Sequence, residues 1–174
     1  MILKNLKNNA LKKSINTYIR NRKTSVKDID GINSLAVLID ASTPVNILSL
    51  VKLADELGVS SNKLKVIGYK EDPKEIHENS DTAYYSYKSL GVNGTVKSQS
   101  LKDFVEKEYD ILINFYSEEK PELNVVAAAS RAKFKVGYAQ IDHRINDLII
   151  GAAPGNSDMF ISELKKYLKI LEII

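Results

Sequence analysis

Short apolar runs alternate along this chain with stretches whose apolar residues recur every three or four positions. The first twenty or so residues are of the second kind. Leu3, Leu6, Ala10, Leu11, Ile15, Tyr18 and Ile19 share one face of a helix, lysines, arginines and asparagines fill the other, and Asp30-Gly31 ends the pattern. Residues 35–39 (LAVLI) are continuously apolar, the pattern of a strand covered on both faces. Thr43 and Pro44 then read as N-cap and first residue of a helix whose stripe is Ile47, Leu50, Val51, Ala54 and Leu57, closed at Gly58. Further strands are expected at 64–69, 110–116, 134–138 and 147–152. Further helices are expected at 100–107, with Ser100 as cap and Asp103 completing the box, at about 121–132, and from Ser157 onward. Residues 71–98 are irregular. Pro73, Gly91 and Gly94 mark turns, one short strand is expected near 94–97, and Tyr84, Tyr85 and Tyr87 read as core or edge-strand packing, with a flap or interface as the alternative.

Strands alternating with helices predict an α/β fold: a three-layer, mainly parallel Rossmann-like sheet with helices on both faces, preceded by a basic amphipathic helix. The division expected is 1–30 for that helix and 31–174 for a single domain. The strand at 35–40 should be central, flanked by 64–69 and 110–116. The gap between 138 and 147 is shorter than the dozen or so residues a parallel crossover takes. Those last two strands are therefore expected to be antiparallel or not neighbours.

Composition narrows the chemistry. The 174 residues include no cysteine and two histidines, which excludes a disulfide framework, a thiolate zinc site and a cysteine nucleophile. No metal site and no cofactor is expected. The longest apolar runs fall far short of a membrane span, and the start lacks the apolar core of a secretory signal, so a cytoplasmic location is expected, with a peripheral place at the inner membrane surface as its variant. Charge is unevenly distributed. Residues 1–27 hold eight of the 25 basic residues and none of the 22 acidic ones, leaving the rest at 17 basic against 22 acidic, a net of −5.

Candidate chemistry follows from the fold. Ligands in open α/β sheets bind beyond the carboxyl ends of the strands, where the strand order reverses. Two loops should meet there, one carrying Asp40, Ser42 and Thr43 and the other Asn114, Tyr116 and Ser117. Each leads into a helix N-terminus with free backbone N–H groups suited to a phosphate or carboxylate. The same residues also read as N-cap, turn and loop formers, and neither G-x-G-x-x-G nor a Walker A pattern occurs. Asp142-His143-Arg144 joins a histidine to an acid, as a general base requires, but adjacent loop residues seldom point the same way, and a solvated turn is expected. Lys4, Lys7, Lys12, Lys13 and Arg20 make the leader a candidate contact for an anionic partner, a membrane surface or a second copy of the chain. No RNP, KH or zinc-finger pattern accompanies it, so no specific nucleic-acid partner is expected.

Tyr109-Asp-Ile-Leu-Ile-Asn114, the run Ala127-Ala-Ala-Ser-Arg-Ala-Lys-Phe-Lys-Val-Gly137, Asn146-Asp-Leu-Ile-Ile150 and the closing Phe160…Leu168 segment together resemble a bacterial domain-of-unknown-function family of short single-domain proteins. That resemblance covers nearly the whole chain and implies no activity. The 109–138 region is also similar to the N-terminal Rossmann-like half of heptosyltransferase-like glycosyltransferases. This second resemblance implies fold only, since no catalytic acid carries over and those enzymes hold their donor in a second domain. Two functional expectations remain: a non-catalytic binding or interaction module with a half-glycosyltransferase-like fold, and an enzyme binding a nucleotide, sugar phosphate or other anion through the loops after 35–40 and 110–116.

Overall fold

The computed structural model describes residues 2–23, 29–77 and 82–174, without the side chains of Leu3 and Lys4. In chain order the elements are α1 (Ile2–Asn21), β1 (Leu35–Asp40), α2 (Ile47–Glu56), β2 (Leu64–Tyr69), β3 (Ala83–Tyr85), α3 (Gln99–Glu106), β4 (Ile111–Phe115), α4 (Pro121–Ala129), β5 (Phe134–Tyr138), β6 (Leu148–Ile150) and α5 (Ser157–Ile170). The six strands form one sheet in the order β3-β2-β1-β4-β5-β6. Every pairing is parallel. This is the doubly wound order, and its direction reverses between β1 and β4.

The alternation of side chains along each strand sorts the core into two halves. Ala36, Leu38 and Leu112 face α1, α3 and α4 and meet Leu11, Leu101, Phe104, Leu123 and Val126 there. Leu35, Val37, Ile39, Ile111 and Ile113 face α2 and α5 and meet Leu50, Leu53, Phe160 and Leu164. All six residues of β1 and all five of β4 are buried, which is why both runs lack polar alternation. Each Leu, Ile, Val or Phe among them contributes roughly 1.5–3 kcal/mol through burial.

Four expectations need correction. The sheet is wholly parallel, because β5 and β6 pair side by side. Their connection stays short by using one 3₁₀ turn, His143–Ile145, in place of a helix, with Ile141 and Ile145 closing the core on the α4 side. No strand forms at 94–97. Gly94, at φ 74°, turns the chain so that only an isolated antiparallel bridge joins Leu90 and Val96. The edge strand comes instead from the tyrosine cluster, where buried Tyr85 lies 5.3 Å from the Tyr69 ring and donates its hydroxyl to Glu122 O. Helix α2 is capped by Asn46, whose Oδ1 accepts from Ser49 N, while the Thr43 hydroxyl turns back to Asp40 O. Helix α3 starts at Gln99 after Ser98, and Asp103 accepts from the Gln99 amide at 2.7 Å, so no capping box forms.

The leader helix docks by half of its stripe. Leu11 and Ile15 are buried and Tyr18 and Ile19 pack beside them, whereas Ile2 is 77 % and Leu6 59 % exposed. At its far end the Arg22 guanidinium forks onto Asp147 at 2.8 and 2.7 Å and donates to Lys133 O. No helix among the described residues is long and apolar enough to cross a membrane.

Candidate functional site

The reversal of strand order between β1 and β4 leaves a crevice at their carboxyl ends, and the chain fills most of it. About 170 Å³ remains, walled by Asp40, Thr43, Asn46, Ser117, Tyr138 and Ser157. Beneath it Tyr138 stacks on Phe160 at 4.2 Å, and Phe115 meets Phe160 edge-on at 5.4 Å. Helices α2 and α5 begin at its rim, but Asn46 and Asn156 cap them through Ser49 N and Met159 N. Of the two helix N-termini expected to receive an anion, that of α2 is therefore partly taken, whereas α4, which follows β4, starts at Pro121 after Lys120 with no side-chain cap.

Asp40 is 4 % exposed. Its Oδ1 accepts from Ser42 N at 3.0 Å, and its Oδ2 lies 2.7 Å from the Lys120 ammonium, which also reaches Glu71 at 2.9 Å. Burial alone would lower Lys120, but its bonds to Asp40 and Glu71 outweigh that and hold the ammonium above its ordinary range. Ser42 and Thr43 are exposed.

Asn114 does not line the crevice. It is fully buried on the α4 side of β4, where its Nδ2 donates to Asn146 Oδ1 at 2.7 Å, leaving Asn114 Oδ1 and Asn146 Nδ2 with no partner. Gly137, level with Asn114 on β5, makes room for that contact, because a Cβ there would lie 2.5 Å from Asn146 Nδ2. Gly137→Ala is expected to expel the Asn146 amide and leave Asn114 without a partner, at a cost of about 2–4 kcal/mol in urea unfolding. A loss below about 0.5 kcal/mol would show that the amide pair holds nothing in place.

Tyr116 is also buried. Its hydroxyl donates to Asn124 Oδ1 at 2.9 Å, and Asn124 Nδ2 donates to Glu119 Oε1 at 3.0 Å. Burial first, then the charges of Glu119 and Asp142, pushes this phenol well above its usual range.

These groups border a larger cavity. About 490 Å³ opens between α1 and the loops that follow β4 and β5, walled by Lys12, Asn16, Glu119, Asn124, Asp142 and Arg144, with Ile15 and Pro121 as its apolar part. Arg144 forks onto Asp142 at 2.9 and 2.6 Å, and its remaining nitrogen donates to Asn16 Oδ1 at 2.8 Å. The hydrogen bond from Arg144 is the main reason the Asp142 carboxyl sits below its usual range. His143 turns away, its Nε2 being 2.7 Å from Ala139 O, so the acid beside it serves the arginine. A neighbouring recess of about 640 Å³ holds Lys7, Tyr69, Glu71, Tyr87 and Lys120, with the Lys7 ammonium 4.8 Å from the Tyr87 ring centre. The two recesses share Asn8 and Pro121 and so run together along α1.

Of the leader's basic residues, Lys7 and Lys12 join this groove, Lys13 and Arg20 are solvent-exposed, and the Lys4 side chain lies outside the described residues. Among the described residues no group of three His, Cys, Asp or Glu is placed to hold a metal ion. Lys120, Asn124 and Glu119 are site residues that the sequence reading did not single out, and Asp142 and Arg144, expected as a solvated turn, wall the cavity instead. One signal was available. Asn8, Lys12 and Asn16 stand four apart, a polar stripe beside the apolar one on the same helix.

A family model, described as a family of unknown function (DUF6913), matches residues 7–171. The chain belongs to this family. The match takes in α1 from Lys7 onward together with all six strands, so the helix that walls the groove lies inside the DUF6913 unit. Comparison with curated proteins finds no match, and comparison with solved structures finds none.

Proposed function

We propose that this domain is a non-catalytic module that binds a small polar molecule in the groove between α1 and the carboxyl-end loops after β4 and β5. One observation carries the reading. The basic helix and the β4–α4 loop, which the sequence presented as two separate candidates, wall a single cavity of about 490 Å³. That volume falls within the roughly 300–1,000 Å³ of small-molecule sites. The non-catalytic part rests on how the acids are occupied. Asp40 and Asp142 each lie against a cation, and the Arg144 hydrogen bond holds the Asp142 carboxyl below its usual range, which makes it a poor proton acceptor.

A thermal-shift panel of nucleotides, sugar phosphates, amino acids and simple anions at millimolar concentration tests this reading. A ligand at 100 times its dissociation constant should stabilise the fold by about 2.7 kcal/mol. The gain should fall in a Lys12→Ala, Asn16→Ala double variant, whose replaced side chains are exposed and carry no core packing. A flat panel rejects the groove as a ligand site.

A second reading has its own observation. Ile2 and Leu6 stand exposed at the tip of α1, on the helix that bears Lys7, Lys12, Lys13 and Arg20. Apolar residues among cations suit an anionic membrane surface. Failure to co-sediment with anionic vesicles at low salt would dismiss it, and sedimentation of the free protein as a dimer would favour a second copy of the chain as the partner.

A further inference from the structure

The groove contains two kinds of charged side chain. Those of the first kind are satisfied within the protein. The Arg144 fork is taken by Asp142 and Asn16, and Asp142 in turn accepts from the Arg144 side chain and backbone N–H. The charge of each is thus already paired within the protein, although the exposed Arg144 guanidinium keeps two N–H donors outside these bonds.

The second kind comprises Lys12 on α1 and Glu119 on the β4–α4 loop, which line the same cavity from different elements. Among the described residues Lys12 has no ion pair and no hydrogen bond to its ammonium. Glu119 accepts one amide proton on Oε1, from Asn124, and its Oε2 has no partner among them. The two do not pair with each other. The Glu119 carboxylate is held toward the cavity by a buried chain of bonds, since Asn124 is 2 % exposed and is itself fixed by the Tyr116 hydroxyl. One wall thus presents a cation and another a positioned carboxylate, neither of them in an ion pair among the described residues, though the Glu119 charge is also felt by Arg144. Between them lie the Asn8 and Asn16 amides and the apolar Ile15 and Pro121.

A ligand that complements this arrangement carries both charges. A phosphate-bearing ligand would match Lys12 and set like charge against Glu119, whereas a simple amine would do the reverse, and each mismatch costs affinity. Resting on the groove reading above, we infer that the ligand is a zwitterion of the amino-acid class, a free amino acid or a dipeptide. Its carboxylate meets Lys12, its ammonium meets Glu119, and its side chain lies toward Ile15 and Pro121. Both polar contacts are charge-assisted hydrogen bonds, the kind that give most discrimination for their number.

The test uses the full chain and titration calorimetry, with the common free amino acids and glycyl dipeptides as probes. For the best probe, the N-acetyl and carboxamide analogues are measured beside it. Loss of either charge should weaken binding about tenfold or more. Lys12→Met should abolish the preference for the carboxylate over the carboxamide, and Glu119→Gln the preference for the free amine over the N-acetyl form. Both positions are exposed, and circular dichroism checks that the variants fold. If nucleotides or sugar phosphates bind in a Lys12-dependent way while amino acids do not, the zwitterion inference is overturned and the groove reading stands. If an amino acid binds but neither variant changes its charge preference, the inference is overturned as well. If nothing binds, both fail.

Discussion

Replacing Lys135 by methionine is expected to reverse the usual effect of removing a buried amine as the pH rises. Lys135 is 1 % exposed and lies on the α4 face of β5, where its ammonium donates to Ala127 O at 2.7 Å and Ala128 O at 3.1 Å. Those are last-turn carbonyls of α4, which lack helical partners, and the end of the helix dipole there favours a cation. Burial works against the charge, Arg22 adds to that effect, Asp147 opposes it, and the pKa falls to about 7 from 10.5. In the unfolded chain the amine keeps its ordinary value. Below about pH 7 both states hold the proton, and the folded state bears the full cost of a buried charge. Between the folded and the unfolded pKa only the unfolded state holds it, so stability rises with pH by about 1.4 kcal/mol per unit.

The variant lacks this titration. The stability of the natural protein minus that of Lys135→Met should therefore climb from about pH 7 toward pH 10, by on the order of 4 kcal/mol in all. Near pH 6 the methionine should cost little or even stabilise, since an apolar group of similar volume replaces a buried charge. At pH 9.5 it should destabilise, because two carbonyls then lose a neutral amine that had donated to them. Urea unfolding of both proteins across pH 6.5–9.5 measures the difference directly, with other titrations cancelling. A difference that stays level over that range would mean the amine keeps its proton inside the fold.

The second large effect is expected at Asp110. Its carboxylate is 6 % exposed, and four donors converge on it: Asn33 N at 2.9 Å, Ser34 N at 3.0 Å, Ser34 Oγ at 3.1 Å and Lys133 Nζ at 2.8 Å. It thereby ties the start of β1 to the approach to β5 at the amino-end edge of the sheet. Burial by itself would raise this carboxyl, but Lys133, Asn33 and Ser34 outweigh it and hold the group below its usual range. Asp110→Ala leaves these donors without an acceptor and should cost about 2–4 kcal/mol at pH 7. Because the folded pKa is depressed, the contribution is present above the unfolded value near 4 and is lost as the pH falls through the folded one. The gap between the two proteins should narrow in acid. A loss under about 1 kcal/mol at pH 7 would show that water replaces the carboxylate at no great cost.

Asp110 lies in one of the segments that carry the resemblance to the family. Within those segments Tyr109, Asp110, Asn146 and Asp147 are scaffold anchors. Tyr109 packs against Phe104 at 5.5 Å, and Asp147 Oδ2 accepts from both Lys135 N and Arg22. Asn146 fills the space left by Gly137. None of these four walls the groove between α1 and the loops. A motif read from such positions identifies a fold and says little about a ligand.

What the sequence by itself determined is most of the elements, all but β3 among the strands, and the centre of the sheet. The apolar runs at 35–39 and 111–115 are continuous because both faces of β1 and β4 are covered, and that burial is a property of each segment's own composition. It also determined the asymmetry of charge between the leader and the rest of the chain. The edge strand Ala83–Tyr85 was not legible, because its three residues are too few to show a period, whereas Leu148–Ile150 falls inside the strand expected at 147–152.

Only the tertiary structure decided which charges are available. Asp40 was the natural candidate from its loop, yet Lys120, eighty residues on, takes it up. Asp142 and His143 are sequence neighbours, and Asp142 pairs with Arg144 instead. Lys12 and Glu119, more than a hundred residues apart and ordinary in their local context, are left facing one cavity. Pairing of charges depends on distances across the fold, set by how α1 lies along α4 and how the loops close over the carboxyl ends of the strands. No window along the chain contains those distances.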